Sequence, residues 1–220
     1  MQDYQHQWKD GTPIHVPVGK IVCIGRNYAE HARELNNPLP DEPLLFIKPS
    51  TATAHITRPL DFPRNHGEVH YETELAVLIG RTLTDASASD VELAILGFGL
   101  ALDLTLRDVQ STLKQKGHPW ERAKAFDGAC PLSPFVPAKK FSGDNIHFTL
   151  DVDGERRQTG DTQDMLYPVI PLIAHMSSQF TLLPGDVVLT GTPKGVGALH
   201  SGQTLSLELE DLLFVETKVV

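Results

Sequence analysis

Three acidic side chains stand in or beside apolar segments, where a folded chain would separate them from water. Glu72 and Glu74 follow His70 and Tyr71 in the segment 70–80, which continues as a fully apolar run. Side chains alternate along a strand, so these two carboxylates share a face and repel each other unless a positive charge lies between them. Asp103 interrupts the apolar run 99–104. A carboxylate buried there needs a cationic or hydrogen-bonding partner.

Carboxylates from two strands would form a site made entirely of oxygen ligands. Such ligands suit Mg²⁺ or Mn²⁺, with Ca²⁺ as a weaker candidate. Three protein ligands would leave three positions of an octahedral ion for substrate or water. Simpler interpretations stay open, because Glu-x-Glu is also typical of a solvated strand face. Asp103 can likewise pair with Arg107 or cap a helix.

His31 and Glu34 are spaced to hydrogen-bond each other on one short helix. A carboxylate that holds one ring nitrogen of a histidine increases the basicity of the other nitrogen. The pair therefore predicts a group that moves protons. The alternative is a His-Glu pair on a polar helix surface.

Arg107 and Gln110 have the same spacing just after Asp103, and they face the same site if a helix begins near residue 106. Arginine suits bidentate recognition of a carboxylate. Lys124 lies among small and aromatic residues, and the alternative for it is a surface lysine with a buried stem.

A glycine-rich loop at 191–197 follows a predicted strand. Such a loop can direct backbone N–H groups at an anion. It is not a P-loop, because the spacing and the following helix are missing. A plain tight turn is the alternative.

Short elements joined by turns must position these groups, since 17 glycines and 16 prolines are spread along the chain. The strands that we predict are 20–25, 44–48, 69–80, 99–104, 146–153, 186–190 and 204–209. Helices are predicted at 28–35, from a cap at Ser89 to about 96, at 106–116 and at 165–180, with Pro171 as a kink or break. The irregular order favours an α+β fold over a doubly wound sheet.

Composition excludes several kinds of partner and site. A chain of 220 residues, 40% of them apolar, is long enough for one domain with a core. Its net charge of −9 argues against nucleic acid or an anionic membrane as the main partner. Two cysteines, Cys23 and Cys130, are too few for a disulfide framework or a Cys-rich zinc site. No apolar run reaches the ~18–20 residues of a membrane span, and residues 1–20 lack signal-peptide features, so we expect a cytoplasmic protein.

Six segments stand in a specific order: IGRNYAEH (24–31), FIKP (46–49), HYETE (70–74), LDLTLRDVQ (102–110), KAFD (124–127) and TGTPKGVG (190–197). Together they resemble the fumarylacetoacetate hydrolase family, in particular its short acylpyruvate hydrolase and oxaloacetate decarboxylase members. The resemblance begins near residue 20 and runs to the C-terminus. It implies a β-rich α+β fold of packed mixed sheets with short peripheral helices. It also implies a homodimer, with an N-terminal extension at 1–19 and a single catalytic domain at 20–220.

The resemblance also implies roles for individual residues. Glu72, Glu74 and Asp103 would bind Mg²⁺ or Mn²⁺. The segment around His31 would be a mobile lid, whose His31 and Glu34 orient and deprotonate water once substrate closes it. Lys124 would point at the reacting oxygen of the substrate. The substrate contacts would be Arg26, Tyr28, Lys48, Arg107, Gln110 and Thr192.

The leading hypothesis from the sequence is hydrolysis of acylpyruvates, which are 2,4-dioxo acids such as acetylpyruvate or fumarylpyruvate. Water activated by His31 and Glu34 would attack C4, and Lys124 or Gln110 would stabilise the oxyanion. The C3–C4 bond would then break to give pyruvate and a carboxylic acid. The alternative is an oxaloacetate decarboxylase or keto-enol tautomerase that uses the same enolate. A metal-stabilised binding protein is a third possibility, which the catalytic side chains argue against.

Overall fold

The computed structural model describes residues 4–35, 37–63, 65–141 and 145–220. Strands hold about 37% of the residues and helices about 22%, so the predicted β-rich α+β fold is confirmed. In chain order the strands are β1 (Ile21–Gly25), β2 (Leu44–Lys48), β3 (Thr53–His55), β4 (Val69–Tyr71), β5 (Thr73–Ile79), β6 (Ile95–Leu102), β7 (Thr105–Leu106), β8 (Cys130–Leu132), β9 (Val136–Pro137), β10 (His147–Val152), β11 (Glu155–Asp161), β12 (Val187–Leu189), β13 (Gly197–Ala198), β14 (Thr204–Leu209) and β15 (Leu213–Lys218). The α-helices are α1 (Ala29–Glu34), α2 (Ala88–Ala94), α3 (Arg107–Lys116), α4 (Glu121–Lys124) and α5 (Val169–Gln179). Short 3₁₀ turns occupy Ser50–Ala52, Ala138–Lys140 and Thr162–Asp164.

A mixed sheet of eight strands forms the centre of the fold. Its order is β2-β1-β12-β5-β6-β8-β3, and β9 pairs with β6. The β1–β12 and β3–β8 pairs are parallel, whereas β5 pairs antiparallel with both β12 and β6. Two smaller antiparallel sheets have the orders β11-β10-β14-β15 and β13-β4-β7.

Both faces of β5 are covered, which explains why its apolar run does not alternate with polar residues. Leu75 and Val77 pack on one face, in a cluster that includes Leu150 of the four-stranded sheet. Ala76 packs on the other face, in a cluster that includes Ile14. All seven residues of β5 are buried.

The predicted strand 69–80 is in fact two strands that belong to different sheets. β4 ends at Tyr71 and β5 begins at Thr73, with Glu72 at the break between them. β4 pairs with β7 and β13, away from the large sheet. Glu72 and Glu74 therefore do not belong to one continuous strand face.

Two helix starts differ from the prediction by more than one residue. Ser87, and not Ser89, caps α2, because Ser87 and Asp90 form a reciprocal capping box. Helix α5 begins at Val169, later than predicted. Pro171 then lies in its first turn, where a missing N–H costs no hydrogen bond, so Pro171 neither kinks nor breaks the helix.

The N-terminal residues from 4 onward pack on the large sheet, where His6 Nε2 lies 3.0 Å from the Gly185 carbonyl oxygen. Among the described residues, no helix is both long enough and apolar enough to cross a membrane. The division into residues 1–19 and 20–220 stays a prediction, with 1–3 outside the described part. The homodimer and the cytoplasmic location stay predictions as well.

Candidate active site

A cluster of three buried carboxylates lies where β5 begins beside the end of its antiparallel partner β6. Glu74 pairs in register with Ala101, and the Asp103 N–H donates to the Glu72 carbonyl at 2.8 Å. The antiparallel pairing thus brings Asp103 next to the break that holds Glu72. One ligand atom from each of the three carboxylates lies within 4.8 Å of the others. The residues are only 5% (Glu72), 1% (Glu74) and 1% (Asp103) exposed.

The cluster fits a divalent cation. Its donors are all carboxylate oxygens, the type that hard divalent ions prefer. Glu74 forms no ion pair with any described residue, and its Oε2 accepts only the N–H of Gly191, at 2.6 Å. Burial, and then the charges of Asp103 and Glu72, raise the pKa of Glu74 well above its ordinary value. A cation bound here would favour the ionised form of Glu74.

Cationic side chains support the other two carboxylates. Lys124, the last residue of α4, places Nζ 2.8 Å from Glu72 Oε2 and 2.7 Å from Asp103 Oδ2. Arg107 at the start of α3 pairs with Glu72 Oε1. Burial opposes ionisation of Glu72, but the charges of Lys124, Arg107 and His31 outweigh it and hold the pKa below its ordinary value. Burial likewise opposes the charge on Lys124, yet Asp103 and Glu72 raise its pKa.

Lys48 lies beneath the cluster and does not line the cavity. Its side chain is 0% exposed, and Nζ lies 2.7 Å from Asp103 Oδ1. Nζ also donates to the backbone carbonyls of Lys124 and, at 3.1 Å, Ala129. The structure therefore does not bring Lys48 to the position expected for a substrate contact. It holds Asp103 and the end of α4 instead.

Helix α1 closes over the cluster from one side. His31 Nδ1 lies 3.2 Å from Glu34 Oε2, as the spacing predicts, and the His31 side chain is buried. The other oxygen of Glu34 accepts the backbone N–H of Gly195 at 3.0 Å. Glu34 thus connects the segment predicted to be a lid with the glycine-rich loop.

The glycine-rich loop requires glycine at its first position. Gly191 has φ +96°, and a Cβ there would lie 2.6 Å from Asn27 Cβ. Asn27, which sequence analysis did not single out, is fully buried. It donates to the carbonyls of Thr190 (2.8 Å) and Tyr167 (3.0 Å) and so holds the loop against the start of α1.

Thr192 of this loop is held by Gln158, a second residue that the sequence did not reveal. Gln158 Nε2 donates to Thr192 Oγ1 at 2.8 Å and to the Pro193 carbonyl at 2.9 Å. Strand β11, which carries Gln158, has few apolar residues, so no periodic pattern predicted a buried glutamine there. Gln158 is buried because β11 of the four-stranded sheet packs there against the start of β5 and the glycine-rich loop.

The structure places Arg26 and Tyr28 in different surroundings. Arg26 lines the cavity and has a left-handed backbone with φ +61°, which costs a non-glycine residue about 1–3 kcal/mol. The Tyr28 side chain points into the core, where its hydroxyl has no hydrogen-bond partner among the described residues. Burial and nearby carboxylates, Glu74 first among them, raise the pKa of Tyr28. Tyr28 does not line the cavity.

One cavity of about 130 Å³ joins these groups. Arg107 Nη1 donates to Gln110 Oε1 at 2.7 Å on its wall, which agrees with their helical spacing. Of the residues proposed from sequence, the cavity is lined by Arg26, His31, Glu72, Glu74, Asp103, Arg107, Gln110, Lys124 and Thr192. Glu34 lies behind His31, whereas Tyr28 and Lys48 belong to the surrounding structure.

Known proteins resemble this chain in sequence and in fold. The model of the fumarylacetoacetate (FAA) hydrolase C-terminal family matches residues 20–220. Oxaloacetate tautomerase YcgM of Escherichia coli K12 is 54% identical over 209 residues, which are 94% of this chain and 95% of that protein. Bovine mitochondrial oxaloacetate tautomerase FAHD1 is 43% identical over 203 residues, 90% of each protein.

Among solved structures, fumarylpyruvate hydrolase of Pseudomonas aeruginosa in complex with Mn²⁺ and pyruvate is 35% identical to this chain and superposes with a TM-score of 0.92. The superposition covers 99% of this chain and 95% of that one. The sequence, the mixed sheets and the buried carboxylate cluster lead to the same conclusion: the chain belongs to the fumarylacetoacetate hydrolase family.

Proposed function

We propose that this protein is a divalent-metal-dependent oxaloacetate keto-enol tautomerase. The observation that carries the proposal is the relative named oxaloacetate tautomerase, 54% identical along nearly the whole chain. The cavity supports the same activity, because it combines a carboxylate cluster with proton-carrying side chains. The comparisons thus favour the alternative of the sequence analysis over its leading hypothesis of acylpyruvate hydrolysis.

Glu72, Glu74 and Asp103 would hold Mg²⁺ or Mn²⁺. Bound there, the ion would supply positive charge that stabilises an enolate oxygen and polarises a neighbouring carbonyl. Lys124 lies beside the same carboxylates as an ammonium, and we assign it a hydrogen bond to the oxygen on which negative charge develops. Thr192 and Gln110 would bind the substrate carboxylate.

Tautomerisation moves one proton between C3 and the oxygen on C2. Because Glu34 holds Nδ1 of His31, Nε2 is the nitrogen that can take or return the C3 proton. Decarboxylation would instead break the C3–C4 bond of oxaloacetate, release CO₂ and leave the enolate of pyruvate. Both reactions need stabilisation of an enolate at the same place in the cavity.

Acylpyruvate hydrolysis is the second candidate. The His31–Glu34 pair favours it, because hydrolysis needs an activated water, and the solved fumarylpyruvate hydrolase shares the fold. In that reaction the pair would take a proton from water as its oxygen attacks C4. The C3–C4 bond would then break, with the electron pair passing to the pyruvate enolate.

The test follows three readouts on one preparation: enol absorbance of oxaloacetate, trapped CO₂, and pyruvate released from a panel of acylpyruvates. We expect the protein to accelerate the keto-enol exchange of oxaloacetate. A chelator should abolish this acceleration, and Mg²⁺ or Mn²⁺ should restore it. Asp103→Asn should abolish it, whereas Asp211→Asn, in the exposed β14–β15 turn, should not. Release of pyruvate from acylpyruvates without accelerated exchange would overturn the tautomerase proposal in favour of hydrolysis. Release of CO₂ without accelerated exchange would identify a decarboxylase.

A further inference from the structure

Two cations lie on the outer wall of the cavity. Arg26 and Lys114 line the same cavity as the carboxylate cluster. Within the described ranges neither forms an ion pair. Arg26 Nη1 donates to the Pro38 carbonyl at 3.3 Å, and Lys114 Nζ donates to Asn37 Oδ1 at 2.8 Å. Both acceptors are neutral, so two positive charges face the cavity without compensation.

The cations deeper in the site are compensated. Arg107 pairs with Glu72, and Lys124 bridges Glu72 and Asp103. These deeper cations therefore already support carboxylates of the cluster. Arg26 and Lys114 support no described carboxylate, so they are available to bind an anion that enters the cavity.

The backbone of Arg26 supports a functional assignment. Its left-handed φ of +61° is uncommon for a residue with a side chain. The next residue, the buried Asn27, fixes this conformation through its hydrogen bonds to Thr190 and Tyr167. Strained residues that their surroundings hold in place concentrate at functional sites. Here the turn after β1 places the Arg26 side chain on the cavity wall.

The local electrostatics agree with this geometry. Burial, followed by the charges of Arg26 and Arg107, lowers the pKa of Lys114, and burial lowers the pKa of Arg26. Neighbouring positive charges raise each other's energy, and an anion that binds between them relieves this repulsion.

We propose that Arg26 and Lys114 form a subsite for the second carboxylate of a short 2-oxo dicarboxylic acid. The inference rests on the proposed function, because the 2-oxo acid group itself must lie at the carboxylate cluster. Oxaloacetate carries a second carboxylate on C4, whereas acetylpyruvate has a methyl ketone and no second carboxylate. The subsite would therefore select diacids over acylpyruvates that end in an alkyl group.

Malate and lactate test the subsite without turnover. They share a 2-hydroxy acid group and differ only in the second carboxylate, which lactate lacks. Titration calorimetry with Mg²⁺ present should show that the wild type prefers malate. Arg26→Gln should lower the malate-to-lactate affinity ratio by about tenfold, the value of a charge-assisted hydrogen bond. Lys114→Gln, at an exposed position, should lower it by about fivefold.

Lys116→Gln is the matched control, since Lys116 is exposed near the end of the same helix and does not line the cavity. It removes the same charge and should leave the ratio within about twofold, because exposed charges are screened by salt. A ratio that neither Arg26→Gln nor Lys114→Gln changes would overturn the subsite. If Arg26→Gln does not fold, Lys114→Gln decides alone.

Oxaloacetate turnover measured on the same preparations separates the two proposals. If the wild type does not act on oxaloacetate but keeps a malate preference that Lys114→Gln reduces, the subsite is supported and the proposed function fails. If it acts on oxaloacetate but binds malate and lactate equally, the subsite fails and the proposed function stands.

Discussion

Gln158 Nε2 donates to Thr192 Oγ1 at 2.8 Å, while Gln158 Oε1 accepts the Thr73 N–H at 2.9 Å. Thr73 lies between Glu72 and Glu74, so one buried amide connects the start of β5, next to these carboxylates, to the glycine-rich loop. Because Oγ1 accepts this hydrogen bond, the hydroxyl hydrogen of Thr192 must point elsewhere. It can reach the Pro193 carbonyl only at 3.5 Å, which favours donation to a ligand in the cavity.

We predict that Gln158→Leu weakens both the fold and substrate binding. The change leaves the Thr73 N–H and the Pro193 carbonyl buried without partners, which should lower the free energy of unfolding by about 1–3 kcal/mol. Thr192 then loses the bond that orients its hydroxyl, so KM should rise more than kcat falls. Urea denaturation and steady-state kinetics measure the two effects.

Gln163→Leu is the control for Gln158, because Gln163 is exposed and no described hydrogen bond involves its side chain. Gln163→Leu should change neither the free energy of unfolding nor KM. A fall in kcat at constant KM in Gln158→Leu would contradict the positioning role.

The carboxylate cluster was predicted from two premises: the alternation of Glu72 and Glu74 along one strand, and the position of Asp103 in an apolar segment, where a buried charge requires partners. The break at Glu72 makes the first premise wrong, yet the three carboxylates still lie together, because β5 and β6 pair next to that break. Gln158 could not be found in this way. Its partners come from distant parts of the chain, and β11 shows no apolar alternation. A buried amide among charged neighbours looks like a surface residue in sequence.

Lys48 illustrates a different limit. The resemblance implies a substrate contact for it, whereas the structure places its Nζ against Asp103, because motif similarity does not tell which side of the cluster a lysine occupies. We predict that Lys48→Met destabilises the metal-free protein by about 3–5 kcal/mol, because it leaves a carboxylate buried without one of its cations. Chemical denaturation measures this, with Lys139→Met at an exposed site as the control. A loss below about 1 kcal/mol, typical of surface pairs, would argue that Lys48 does not support Asp103.

The pKa of Glu74 makes the stability of the metal-free protein depend on pH. Burial and the charges of Asp103 and Glu72 raise this pKa in the folded state above the unfolded value. Between the two values the folded state binds more protons, so its stability falls as pH rises through that window. Each unit of the shift corresponds to about 1.4 kcal/mol.

We therefore predict that Glu74→Gln stabilises the metal-free protein by an amount that grows with pH above the ordinary pKa of a glutamate. Urea denaturation of both proteins in the presence of a chelator, from pH 5 to 8 and at constant ionic strength, measures the difference. Glu216→Gln on the exposed side of β15 controls for net charge. A difference that is independent of pH would show that Glu74 is not held at a raised pKa. Added Mg²⁺ should stabilise the wild type and not Glu74→Gln.

The contact between Glu34 and His31 leads to a prediction about the reaction itself. His31→Gln removes the group assigned to carry the proton and should lower kcat by about 10²–10⁴, the range for general acid-base catalysis. Glu34→Gln keeps the size of the side chain but loses the carboxylate 3.2 Å from Nδ1. Its effect on kcat should be smaller and in the same direction.

Glu30→Gln supplies the comparison for Glu34, because Glu30 lies on the same helix and pairs with Lys194 at the surface. Exposed pairs of this kind contribute at most about 1 kcal/mol, so Glu30→Gln should leave kcat nearly unchanged.

If His31→Gln and Glu34→Gln abolish pyruvate release from acylpyruvates but leave oxaloacetate exchange intact, the pair activates water only. Another group must then carry the C3 proton. If both reactions fall together, His31 carries that proton, because water is a reactant in hydrolysis alone.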